Sequence, residues 1–150
     1  IIDTFITLIK ALEINKESNW QFKKKSYKQV VDILNATDDE IKNVNDALRI
    51  LRNGGSKFEG EEAHFTKNGE YKSKIIVKIN SIIKTGLFVE AEEIKNDPKI
   101  LAISELTQIP EIGPSKAVKL YEDGIQSIAD LKLAIMASID TMHAENRRNN

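Results

Sequence analysis

The 150-residue chain carries 22 Lys and Arg against 23 Asp and Glu, a formal net charge of −1, so no global basic field marks it for nucleic acid. It has no cysteine, which excludes disulfides and thiolate metal sites and fits a reducing compartment. No apolar run approaches the roughly 20 residues that span a bilayer, and no signal-peptide pattern is present. The length suits one medium domain or two small ones, and the start at Ile1 rather than Met reads as a fragment or a processed chain. Charge is uneven, with a slight basic excess over 1–90 and an acidic excess over 91–150, so any DNA contact must rest on local patches.

In chain order, Ile2, Phe5, Ile6, Ile9 and Leu12 form a helical stripe that predicts a first helix over 1–13. Trp20 to Leu34 predicts a second, with Trp20, Tyr27, Val30, Val31 and Leu34 as its buried side and Lys23, Lys24, Lys25 and Lys28 opposite. Thr37 and Glu40 have the spacing of a capping box opening a third helix, which runs through Ile41, Val44, Leu48 and Leu51 and stops at Asn53-Gly54-Gly55. From 54 to 69 the chain is polar and glycine-punctuated, a long loop or a small irregular insert. Tyr71 to Thr85 holds Ile75, Ile76, Val77, Ile79, Ile82 and Ile83, and its length and lack of strict alternation favour helix over strand, with Gly86 as its stop. Glu90 to Asn96 is acidic, and Asn96-Asp97-Pro98 is the best candidate boundary.

Leu106 to Leu131, LTQIPEIGPSKAVKLYEDGIQSIADL, is the most informative run. It reads as a helix end, a tight hairpin at Ile109-Pro110-Glu111-Ile112-Gly113, and a second helix opened by Pro114, whose missing N–H has no intrahelical use there. A helix N-terminus behind such a turn offers N–H groups to an anion, and phosphate is the usual one. A helix-hairpin-helix that grips a nucleic-acid backbone and an ordinary hairpin inside a core fit this pattern equally. After Leu131 the pattern is weak, and a frayed tail is expected.

Lys74 and Lys78 lie four apart and share one helix face. A lysine attacks an aldehyde only as the free amine, and a neighbouring cation or partial burial favours that form. Two solvated lysines on an amphipathic helix are the commoner cause of this spacing. The run Lys23-Lys24-Lys25-Ser26-Tyr27-Lys28 sets phosphate-binding charge beside an aromatic ring, and here too a solvated face is the plainer reading. Asp38-Asp39-Glu40 is explained by a helix start, and His64 and His143 lack partner clusters.

Taken together, these residues resemble the N-terminal part of the family X DNA polymerases over roughly 18–131. The resemblance is strongest in 106–131, which matches the family's thumb hairpin, and extends to KIIVKINSIIKTG (74–86) and FKKKSYKQVVDIL (22–34). It implies an all-α fold of two small helical domains, each with a helix-hairpin-helix, the first degenerate at Gly69-Glu70-Tyr71-Lys72-Ser73. The corresponding domains are a lyase-type, 5′-phosphate-binding domain over 1–90 and a DNA-binding thumb subdomain over 91–135, followed by a flexible tail over 136–150.

The resemblance implies an N-terminal fragment of a repair polymerase that binds gapped or nicked DNA carrying a 5′-phosphate. In this role Lys78 is the Schiff-base nucleophile of a 5′-deoxyribose-phosphate lyase, with Lys23, Tyr27 and Lys74 around the 5′-phosphate. In the second hairpin, Gly113, Ser115 and Lys116 take phosphate on their N–H groups, and the carbonyls of Thr107, Ile109 and Ile112 hold Na+ or K+. Lyase chemistry needs no cofactor, and Mg2+ belongs to a polymerase domain absent from this chain, which therefore is at most a lyase. A monomer with no membrane contact is expected, acting at a site of DNA repair inside the cell, which is the nucleus or a viral replication site if the source is a eukaryote or its virus. Three positions and one turn depart from the family pattern: Phe22 replaces a pocket histidine, Val77 replaces an acid beside the nucleophile, Glu111 takes a glycine position, and the first hairpin does not follow the expected P-G-x-G pattern. The alternatives are a non-catalytic DNA-binding module, the equivalent region of another DNA repair protein such as a nuclease subunit, or a helical protein-interaction domain.

Overall fold

The computed structural model describes residues 1–55, 67–69 and 72–149. Among these residues the secondary structure is eight α-helices with no strand. Contacts divide the chain into two units, Ile1–Lys95 and Asn96–Asn150.

The first unit contains α1 (Ile2–Asn15), α2 (Trp20–Asn35), α3 (Val44–Asn53), α4 (Lys74–Thr85) and α5 (Val89–Lys95). Helix α1 packs against both α2 and α5, while α3 packs against α2 and α4. Phe5, Val30, Leu51, Ile76 and Ile79 are removed from solvent at the centre. Each such side chain contributes on the order of 1.5–3 kcal/mol of hydrophobic stabilisation before entropy is charged against it.

The buried stripe of α1 is Phe5, Leu8, Ala11 and Ile14, and Ile6 is exposed, contrary to the stripe expected from the sequence. A repeat of three lags the 3.6-residue turn, so the stripe winds around α1 and leaves Ile6 outside it.

Helix α3 also starts later than expected. Its capping box is Asn43 with Asp46: Asn43 Oδ1 accepts from the Asn45 and Asp46 N–H groups, and Asp46 Oδ2 accepts from the Asn43 N–H. Thr37 instead accepts the Asp39 N–H at 3.1 Å in a local turn, and Asp39 pairs with Arg49. Two capping patterns six residues apart compete here, and the one directly preceding the apolar run prevails. At the other end Gly54 is required by contact rather than by its backbone angle, since a Cβ there would lie 2.5 Å from Ile33 Cγ2. Helix α4 ends where expected, with Gly86 at φ 78° closing it. Of the first hairpin, Glu70 and Tyr71 lie outside the described residues, as does most of the 54–70 segment.

The second unit contains α6 (Pro98–Leu106), α7 (Pro114–Glu122) and α8 (Ile128–Arg148). Asp97 caps α6, accepting from Lys99 and Ile100 N–H groups, and Pro98 fills the first turn. Ile100, Ile103 and Leu106 of α6 and Ala117 of α7 form the buried contact between these two helices. Helix α7 ends with Gly124 at φ 93°, the Gly124 N–H bonding Tyr121 O and the Ile125 N–H bonding Leu120 O, which satisfies the last carbonyls.

The frayed tail expected after Leu131 is instead the body of α8. Ser127 Oγ accepts the Asp130 N–H, and Glu105 Oε1 accepts the Ile128 N–H from α6, so the start of α8 is anchored. Beyond this start, a run rich in Ala, Leu, Met and Ile favours helix by intrinsic propensity. None of its residues is buried among the described residues, so no buried face announced it.

Candidate functional site

Lys78 lies on α4 two turns before its end, and the three residues 86–88 turn the chain back so that α5 starts beside it. Its side chain is only 14% exposed. Lys78 Nζ stands 3.5 Å from Glu90 Oε2 and 4.7 Å from the centroid of the Phe88 ring. The amine therefore lies beside both a carboxylate and an aromatic face.

Tyr27 joins this group from α2. Its ring meets Phe5 edge to face at 5.3 Å between centroids. Burial raises the phenol above its ordinary value of 10.0, and the negative charge of Glu90 raises it further. At neutral pH it is a hydrogen-bond donor and not an anion. Helix α1 makes the assembly possible, since Phe5 holds Tyr27 while α1 also packs against α5, which carries Glu90.

Lys74 and Lys23 stand differently. Each lies one turn before its partner, Lys74 before Lys78 and Lys23 before Tyr27, and each is exposed without an ion pair among the described residues. Helical side chains lean toward the N-terminus, so these two cations sit at the rim rather than in the cluster. Lys24, from the same basic run, is engaged by Glu13 and lies 5.8 Å from the Trp20 ring centroid. A groove of about 720 Å³ along α2 and α3 contains none of these site residues, and its Lys28 and Asp39 are already paired with Asp32 and Arg49.

In the second unit the hairpin runs from Thr107, which closes α6, to Gly113, which precedes α7 in extended conformation. The Ile112 N–H bonds Ile109 O at 3.1 Å, pulling the turn tight. Glu111 adopts φ 69°, the left-handed region that glycine tolerates best, at a cost of about 1–2 kcal/mol for a side-chain-bearing residue. Lys116 Nζ donates to Glu111 O at 3.2 Å, so its ammonium lies over the turn. The exposed first turn of α7, Pro114-Ser115-Lys116, faces outward with the positive end of the helix dipole. Among the described residues, no cluster of three or more carboxylate or histidine side chains is suited to a metal, and no helix is long and apolar enough to cross a membrane.

Sequence reasoning singled out Lys78 and Tyr27, and the fold gathers them with two residues it overlooked, Phe88 and Glu90. The signal that pointed to them was the short connection between α4 and α5, because helices joined by so few residues become neighbours.

A model of the SAM-like helix-hairpin-helix tandem family matches residues 103–143, from α6 well into α8. The chain is also similar to DNA polymerase lambda of Arabidopsis thaliana, 37% identical over 54 residues. That similarity covers 36% of this chain and about a tenth (10%) of the polymerase.

Proposed function

We propose that this chain is the gap-binding region of a family X DNA repair polymerase, with 5′-deoxyribose-phosphate lyase activity in its first unit. The observation that carries the reading is Lys78, an amine tucked between Glu90 and Phe88 with Tyr27 in the same cluster and the exposed Lys23 and Lys74 one helical turn away. In this mechanism the Lys78 amine adds to C1′ of the ring-opened sugar, water leaves, and an iminium forms. The iminium acidifies the C2′ proton. Its removal shifts the electron pair to C2′–C3′, the C3′–O bond breaks, and the DNA leaves with a 5′-phosphate. Hydrolysis of the remaining imine frees Lys78. Lys23, Lys74 and the protonated Tyr27 hold phosphate during these steps.

The second unit grips the DNA backbone through N–H groups of Gly113, Ser115 and Lys116, as a monomer. The carbonyls of Thr107, Ile109 and Ile112 suit Na+ or K+, because Thr107 ends α6, where the helix dipole favours a cation. Mg2+ chemistry belongs to a polymerase domain outside this chain. A non-catalytic DNA-binding module is the second reading, favoured by the Glu90 contact that already occupies the amine.

Binding of the 150-residue chain to gapped DNA with and without a 5′-phosphate tests the first unit. The phosphorylated gap binds more tightly, and Lys74→Ala lowers the slope of log affinity against log salt by about 1. Equal affinity for the two gaps contradicts the assignment.

A further inference from the structure

Resting on the lyase reading, we infer that Glu90 is the catalytic base of that reaction, the group that takes the C2′ proton from the imine on Lys78. The sequence puts no acid next to the nucleophile, since Val77 fills that position and offers no proton acceptor. The fold supplies one from the next helix. In the imine, the nitrogen occupies the position of Lys78 Nζ, and C2′ is two bonds away. A carboxylate oxygen 3.5 Å from Nζ is therefore within reach of the C2′ proton without rearrangement.

The burial pattern has the right polarity. The Lys78 side chain is 14% exposed and Glu90 57%, so the nucleophile lies beneath and the carboxylate at the mouth, where a sugar bonded to Nζ must sit. The Phe88 ring at 4.7 Å supports a cation on the nitrogen in both the ammonium and the iminium states. Tyr27 is not a competing base, because burial and the Glu90 charge keep its phenol protonated.

Solvent takes a proton from the Lys78 ammonium, which frees the amine to attack C1′, and returns one to the carbinolamine hydroxyl, which leaves as water. Glu90, still a carboxylate, then removes the C2′ proton while the C3′–O bond breaks and the DNA phosphate departs. Water hydrolyses the unsaturated iminium and leaves Lys78 as the ammonium, and Glu90 passes the C2′ proton to the departed phosphate or to solvent.

Single-turnover reaction of the full chain with 5′-deoxyribose-phosphate DNA, with borohydride quenching in parallel, separates the two steps. Glu90→Gln still forms the trapped adduct, but elimination slows on the order of 100-fold. Glu90→Asp, which keeps a carboxylate, recovers part of the rate. Elimination by Glu90→Gln at the unchanged rate overturns the base assignment alone and leaves the lyase reading standing. Loss of the adduct in Glu90→Gln also overturns it, by making Glu90 a residue that positions Lys78. Failure of the unaltered chain to form any adduct overturns the lyase reading and the base assignment together.

Discussion

Phe5 and Tyr27 meet edge to face, with ring centroids 5.3 Å apart and planes at 72°, and this contact links the first helix to the lysine cluster. Phe5 is fully buried and lies in the centre of the first unit's core. Phe5→Ala is expected to cost about 3–5 kcal/mol, and Phe5→Leu less than half of that, read from urea unfolding midpoints. A loss below about 1 kcal/mol in Phe5→Ala contradicts this packing.

The Tyr27 phenol gives the first unit a dependence on high pH. Its folded value is raised above 10.0, so between about pH 10.0 and that value the unfolded chain has lost a proton that the folded chain keeps. Stability conferred by Tyr27 is thus complete below pH 10.0 and declines as pH rises through the folded value. Tyr27→Phe removes that decline. Absorbance titration against Tyr27→Phe locates the phenol, and Glu90→Gln brings it closer to 10.0 by removing the second cause.

Ile33 and Gly54 fix how the end of α3 sits on α2. A Cβ at 54 would lie 2.5 Å from Ile33 Cγ2 and 2.7 Å from Cγ1, atoms close to the backbone that cannot swing away. Gly54→Ala is expected to destabilise by about 1–3 kcal/mol through overpacking. In the Ile33→Ala background the same change costs much less, and a double-mutant cycle measures the coupling. Additive effects contradict the contact.

Much of the fold could be read from local chemistry. Pro114 and Gly113 mark the hairpin, Gly86 marks the end of α4, and the isoleucine run is a helix with Lys78 on its half-buried side. What escaped depended on tertiary contact or on the absence of one. Asn43 prevailed over Thr37 only because the helix it caps packs its apolar run from Val44 onward. Glu90 reads as part of an acidic surface helix until α5 is folded against α1 and beside α4. Helix α8 left no periodic signature because it buries no face among the described residues.

Glu111 carries a left-handed backbone at φ 69° and, under the proposed backbone grip, sets a carboxylate beside the DNA phosphate, two costs that glycine would remove. Glu111→Gly is expected to stabilise the second unit by about 1 kcal/mol, the relief of strain exceeding the added chain entropy. The same change raises affinity for duplex DNA at low salt, measured by fluorescence anisotropy, with the gain fading as salt rises. Weaker binding by Glu111→Gly contradicts the proposed backbone grip.

Lys78 decides whether the first unit is an enzyme. Borohydride trapping of the 150-residue chain on 5′-deoxyribose-phosphate DNA, beside Lys78→Ala and Lys74→Ala, tests this directly. The lyase account predicts a covalent adduct with the unaltered chain, a weaker one with Lys74→Ala, and none with Lys78→Ala. An adduct that survives Lys78→Ala, or its absence from the unaltered chain, contradicts the account.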